Sequence, residues 1–153
     1  MKRYYLAYGS NLNVRQMKFR CPTAKIAGTA VIRDYELLYK GSKTGSYLTI
    51  EKKKGSLVPV AVWEVTATDE RSLDIYEGYP NFYYKKNMKI RLSEVGKMID
   101  AFVYIMHEER RLGIPTSAYV STCKFGYTIF GFDFKYLDEA YEKSLKGVAN
   151  NEK

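Results

Sequence analysis

The sequence predicts an α+β domain built on a mixed or barrel-like sheet. Three observations point there. About six segments rich in β-branched and aromatic residues are interspersed with a few helical stretches. These segments do not follow the strict strand–helix–strand alternation of a doubly wound sheet. No internal repeat, low-complexity segment or Pro/Gly/Ser linker divides the 153 residues, so one domain is expected over 1–147, with a frayed tail at 148–153.

The elements are read in order. Arg3 to Tyr8 (RYYLAY) is a β-rich opening strand ended by Gly9, and Val14 to Arg20 is a short helix stopped by Pro22. Thr29 to Tyr39 reads as a strand. Tyr47 to Glu51 and Val58 to Val65 read as a hairpin around the tip Lys52-Lys53-Lys54-Gly55. Asp69 to Tyr76 is a helix with Thr68 as its N-cap and acidic residues in its first turn. Tyr83 to Leu92 and Met98 to Met106 are strands that turn between Glu94 and Lys97. Two helices, Ser117 to Phe130 and Lys135 to Leu145, end the domain.

Composition narrows the function classes. With 46% hydrophobic and 27% charged residues, the chain has a globular rather than a disordered composition. The net charge of +8 draws anions, whether polyanions or small substrates, and also serves solubility. Cys21 and Cys123 lie far apart and no Cys/His spacing suits a metal, so no metal site is expected. The single histidine, His107, sits among Met106, Glu108, Glu109 and Arg110, which reads as a solvated loop rather than a catalytic setting. No apolar run approaches the ~20 residues that span a bilayer. No apolar segment follows Met1-Lys2-Arg3 as a signal peptide would require, so a soluble cytoplasmic protein with reduced thiols is expected. The 15 tyrosines suit strands, and a few of them suit a cavity that is apolar in body and polar at chosen points.

Two local features carry chemistry. Tyr8-Gly9-Ser10-Asn11-Leu12-Asn13 lies where a strand passes into a helix. Gly9 tolerates positive φ and lets a ligand approach the backbone, and the following amides can form an anion-binding nest. The same residues also make a routine strand-to-helix turn capped by Asn11 or Asn13. The second feature is Glu77. Leu73, Tyr76 and Glu77 share a helix face, so if Leu73 and Tyr76 face the core, the carboxylate turns inward and its pKa rises. Gly78 and Pro80 end the helix there, and a negative charge in a last turn opposes the helix dipole, which raises the pKa further. A Glu77 rotated into water, or paired with Lys85 or Lys86, is the competing outcome.

A strand followed by Tyr8-Gly9-Ser10-Asn11-Leu12, with Glu77-Gly78 and Tyr84 later, resembles the γ-glutamylcyclotransferase-like superfamily, the AIG2-like or BtrG-like group. Pro115-Thr116-Ser117-Ala118-Tyr119 is a looser match, with Thr116 in place of the usual Ser. The resemblance covers nearly the whole chain. It implies a small mixed β-barrel flanked by helices, with the loop Gly9 to Leu12 cradling a γ-glutamyl group. It implies that Glu77 is the acid/base catalyst, that Tyr84 and Tyr119 contact substrate, and that Tyr8 packs the loop. The implied reaction is an internal aminolysis that yields 5-oxoproline and a free amine, with no metal, cofactor or protein nucleophile. Non-catalytic binding of a γ-glutamyl compound is the alternative. Nucleic-acid binding through Lys52-Lys53-Lys54 and Tyr83-Tyr84-Lys85-Lys86, with Lys89 and Arg91, lacks any recognised motif. The assembly expected is a monomer or a homodimer around a small-molecule substrate.

Overall fold

The opening strand β1 (Arg3–Ala7) is central in the sheet, and its tyrosines, leucine and alanine suit a strand covered on both faces. The computed structural model describes residues 2–42 and 45–151. After β1 come a single 3-10 turn (Ser10–Leu12), α1 (Val14–Arg20), β2 (Lys25–Ser42), β3 (Gly45–Val65) and α2 (Ala67–Glu77). Then follow β4 (Tyr83–Arg91), β5 (Met98–Met106), β6 (Arg111–Leu112), α3 (Ser117–Phe130) and α4 (Lys135–Asn151).

The strands form one six-stranded sheet in the order β4-β5-β1-β3-β2-β6. Only β1 and β5 pair in parallel; the other neighbours are antiparallel, so the sheet is mixed. It curls into a half-barrel flanked by the four helices, which is the α+β architecture expected. The curl brings the segment after β4 back to β2, where Ser93 N–H donates to Thr29 O at 2.9 Å and Glu94 accepts from the Thr29 amide at 2.9 Å.

Several boundaries differ from the sequence reading. The expected hairpin around Lys52 to Gly55 is instead one long strand, β3, paired with β2 on both sides of a wide bulge. Asp34, at φ 63°, faces that bulge, and its Oδ1 accepts the Gly55 N–H at 3.0 Å. On this edge β3 thus keeps β2 as its partner on both sides of the bulge, while its last residues, Ala61 to Val65, also pair with β1 on the other edge, and the exposed lysines ride on the bulge. The N-cap of α2 is Thr66, not Thr68. Thr66 and Asp69 form a reciprocal capping box, and Gly78 closes the helix in the left-handed region at φ 63°. Burial acts to raise the Asp69 carboxyl, but hydrogen bonds from Thr23 and Thr66 outweigh it and hold the group below its usual value. Helix α4 continues to Asn151, past the Leu145 end expected, while the last two residues of the expected tail lie outside the described residues.

Two packing relations position the site. Helix α3 rests on the loop after β1: a Cβ at Gly126 would stand 2.4 Å from Leu12 Cβ, so only glycine lets the helix come this close. Helix α2 is anchored to the sheet by ion pairs from Lys85 to Glu70 (2.6 Å) and Asp74 (2.7 Å), with Arg3 on Glu70 at 2.7 Å. These pairs fix where its last residue, Glu77, emerges.

Candidate functional site

The loop after β1 and the last turn of α2 meet at a cavity of about 360 Å³, a size that suits a small molecule. Of the site residues expected from sequence, Tyr8, Gly9, Ser10, Asn11, Glu77 and Tyr119 line it together. Leu12 does not; it is fully buried beneath the loop. Tyr84 lies outside it, with its hydroxyl donated to Glu108. The tyrosine of β4 that faces the cavity is its neighbour Tyr83, whose hydroxyl donates to Leu48 O at 2.8 Å. Successive strand residues point to opposite faces, so this one-residue difference exchanges inside for outside.

The loop is held by side chains on every side. Trp63 Nε1 donates to Asn11 O at 3.2 Å, and Asn11 Nδ2 donates to Tyr5 Oη at 2.9 Å. Arg20 donates to Asn11 Oδ1, and Ser10 Oγ bonds Tyr76 Oη at 3.0 Å. Leu12 N–H and Asn13 N–H turn back onto Gly9 O and Ser10 O, both at 3.0 Å. The amides of Ser10 and Asn11 have no such partner among the described residues. Asn13, rather than Asn11, caps α1 through the amides of Arg15 and Gln16. Gly9 sits at φ −127°, not at positive φ. What it provides is space, since a Cβ there would stand 3.3 Å from Tyr119 Oη and 3.5 Å from Leu48 Cβ.

Glu77 has no hydrogen bond or ion pair to any described residue. Among the described residues the competing pairing is found with neither Lys85, which is engaged by Glu70 and Asp74, nor Lys86. The face argument holds in part: Leu73 is buried, but Tyr76 covers the cavity rather than the core and is 45% exposed. Glu77 itself keeps partial exposure through the cavity opening, while the walls around it displace most of its hydration. Burial pushes its carboxyl from 4.5 up to about 8, with the Arg20 guanidinium pulling the other way.

Seven of the fifteen tyrosines line the cavity, more than the few expected. Those the sequence reading missed are Tyr5, Tyr47, Tyr76, Tyr83 and Tyr104. Burial, and then neighbouring groups that include Glu77, hold the hydroxyls of Tyr5, Tyr8, Tyr83 and Tyr119 well above their usual range. They remain neutral donors at physiological pH. Tyr8 Oη donates to Tyr104 O at 2.7 Å, and Tyr119 Oη accepts the Leu48 N–H at 3.0 Å.

Other nucleophiles and bases stand apart. Burial lifts the thiol of Cys21 to about 11 and that of Cys123 to about 12, so neither is a thiolate at neutral pH. His107 places Nε2 2.7 Å from Pro80 O, outside the cavity lining. Among the described residues, no group of three or more His, Cys, Asp or Glu is placed to hold a metal, and no helix is long and apolar enough to cross a membrane.

The sequence and the fold find clear relatives. The sequence profile of the gamma-glutamyl cyclotransferase, AIG2-like family matches residues 5–121. A human gamma-glutamylcyclotransferase is 33% identical over 97% of this chain and 79% of its own length, and the mouse protein of that name is 28% identical over the same shares. A solved gamma-glutamyl cyclotransferase structure superposes with a TM-score of 0.81 at 26% identity, covering 92% of this chain and 86% of its own. The chain belongs to the gamma-glutamyl cyclotransferase, AIG2-like family.

Proposed function

We propose that this protein is a γ-glutamylcyclotransferase that turns a γ-glutamyl amine, amino acid or peptide into 5-oxoproline and the free amine, with Glu77 as general acid/base. The observation that carries the reading is Glu77: a carboxyl with no partner among the described residues, raised by burial to about 8, on a cavity shared with Ser10 and Asn11, whose amides likewise have no partner among them.

The chemistry follows from these properties. A substrate α-ammonium beside Glu77 favours the carboxylate through opposite charge, so the proton moves from nitrogen to Glu77. The freed amine attacks its own γ-carbonyl, and the new C–N bond closes the five-membered ring. The amides of Ser10 and Asn11 supply donors for the tetrahedral oxyanion, worth roughly 3 kcal/mol for each well-placed one. Glu77 returns the proton to the leaving nitrogen, the old C–N bond breaks, and the surplus proton on the new ring nitrogen passes to the departing amine, so that neutral lactam and an ammonium-form amine separate. Because the nucleophile is tethered to its target, the cavity has mainly to hold the productive rotamer. The reaction is a cofactor-independent, lyase-type acyl transfer, and no protein nucleophile takes part. Two buried, free cysteines suit a cytoplasmic location.

The reading is tested by incubating the protein with γ-glutamyl-alanine, γ-glutamyl-ε-lysine and glutathione and measuring 5-oxoproline. Release from at least one is expected. Binding of all three without release would instead favour a non-catalytic γ-glutamyl-binding protein.

A further inference from the structure

The cavity has two unlike ends. At its inner end Tyr5, Tyr8, Tyr83, Tyr104 and the loop are nearly fully buried, and Glu77 is the one charged side chain in the lining among the described residues. At its outer end Ile75 is 83% exposed and Tyr47 38% exposed, and Phe82 is partly buried. Tyr47 links the two ends. Its ring meets Tyr119 edge-on at 5.2 Å and Phe82 edge-on at 6.3 Å, so a continuous aromatic wall runs outward. The same lining includes Ile75 and Tyr76, on the last turn of α2. The nearby cations lie outside the lining and are stacked on its rings: Arg20 lies 3.4 Å from the Tyr76 ring centre and Arg110 4.2 Å from that of Phe82.

We infer that the outer end is a leaving-group subsite selective for an aromatic or large aliphatic side chain on the amine released. The inference rests on the γ-glutamyl reading of the inner end. With the glutamyl group seated between the loop and Glu77, the departing amine points to the mouth. There it meets an aromatic wall and an isoleucine, and no charged group of the lining. An apolar side chain covers surface that the free protein leaves in water, and its ring can add edge-to-face contacts with Tyr47 and Phe82. A small or charged leaving group gains neither.

The test compares γ-glutamyl-phenylalanine with γ-glutamyl-glycine, which differ only in this side chain. The wild-type protein is expected to show kcat/KM about tenfold higher for the phenylalanine peptide, in line with the effect of burying one apolar group. Ile75→Ser, at an exposed position that the fold does not need, is expected to shrink that ratio severalfold. Calorimetric binding of the same two peptides to the Glu77→Gln protein supplies a readout that does not need turnover. Equal kcat/KM and equal affinity for the two peptides would overturn the subsite while leaving the cyclisation reading intact. Tighter binding of the phenylalanine peptide, with no 5-oxoproline from either peptide on the wild-type protein, would uphold the subsite and sink cyclisation. Equal affinity with no turnover overturns both.

Discussion

Tyr104 Oη donates to Asp74 Oδ1 at 2.6 Å, tying a strand in the cavity wall to the helix that ends in Glu77. Asp74 stands three residues before Glu77 and also takes Lys85 at 2.7 Å, so the last turn of α2 is fixed from two directions. Tyr104→Phe removes one of the two. The expected cost is about 1 kcal/mol of stability, the net worth of such a bond. Because a small displacement of a reacting group is enough to slow an enzyme, kcat should fall with it, though less than on loss of Glu77 itself. Chemical denaturation and steady-state kinetics on the same preparation check both; an unaltered kcat would show that Lys85 alone holds the turn.

Replacing Glu77 by Gln keeps the size and hydrogen-bonding atoms of the side chain and removes its ability to move a proton. Under the proposed function, turnover should drop by roughly 10²–10⁴-fold, the usual contribution of a general acid/base. The circular dichroism spectrum should be unchanged. Wild-type 5-oxoproline release from the variant would falsify the assignment.

The raised carboxyl also predicts a pH signature. In the free protein Glu77 becomes a base only as pH passes about 8, so kcat/KM should climb with pH and level off above that value. A bound α-ammonium favours the carboxylate, so the corresponding limb of kcat should lie at lower pH. A kcat/KM limb near 4.5, the ordinary value for this group, contradicts a buried acid.

Stability should respond to the same group in the opposite sense. The folded pKa of Glu77 lies above the unfolded one, so the folded state holds its proton longer. The stabilisation from this is complete below pH 4.5, declines as pH rises and is gone above about 8. Glu77→Gln does not titrate, so its stability relative to wild type should improve across that window, by on the order of a few kcal/mol at the alkaline end. Thermal melts of the two proteins at pH 5 and pH 9 measure the change directly. A constant difference between them would mean that Glu77 is not desolvated.

What sequence could reveal divides along a physical line. The end of α2 was legible because Gly78 and Pro80 are local signals, and they placed Glu77 in a last turn. Its start was also legible and was misread: Thr66 has an acid three residues on, at Asp69, whereas Thr68 has Arg71 there. The bulge in β3 was not legible, because Lys52 to Gly55 has the composition of a turn and the straightening partner, Asp34, lies 21 residues away. Nor was the choice between Tyr83 and Tyr84, which depends on strand register alone. Tyr76 shows the limit of face arguments: it shares a helix side with Leu73, yet one packs in the core and the other walls the cavity.

Gly9 should couple to Tyr119. A methyl group at position 9 would stand 3.3 Å from Tyr119 Oη, so Gly9→Ala pushes on a hydroxyl that also accepts the Leu48 amide. Tyr119→Phe removes that oxygen, at a cost of about 1 kcal/mol for the lost bond. The effect of Gly9→Ala on kcat/KM should therefore be smaller in the Tyr119→Phe background than in wild type. A double-mutant cycle isolates this pairwise effect, and strict additivity would place the Gly9 effect elsewhere.

Gly126 makes the most distant prediction. It lies in the middle of α3, outside the cavity lining, yet a Cβ there would stand 2.4 Å from Leu12 Cβ, 2.6 Å from Leu12 C and 2.9 Å from Asn13 N. Two of these three atoms belong to the backbone and cannot swing aside, so Gly126→Ala must move either the helix or the loop. Alanine favours helix by up to ~1 kcal/mol over glycine, which works against the clash. Overpacking of this kind costs about 1–3 kcal/mol or more, so the variant should still be less stable than wild type. If the loop is the part that yields, the amides of Ser10 and Asn11 shift, and kcat for 5-oxoproline release should fall although no cavity residue has changed. If the helix yields, kcat is preserved and only the denaturation midpoint drops. Measuring kcat and midpoint together decides which side of the contact is the softer.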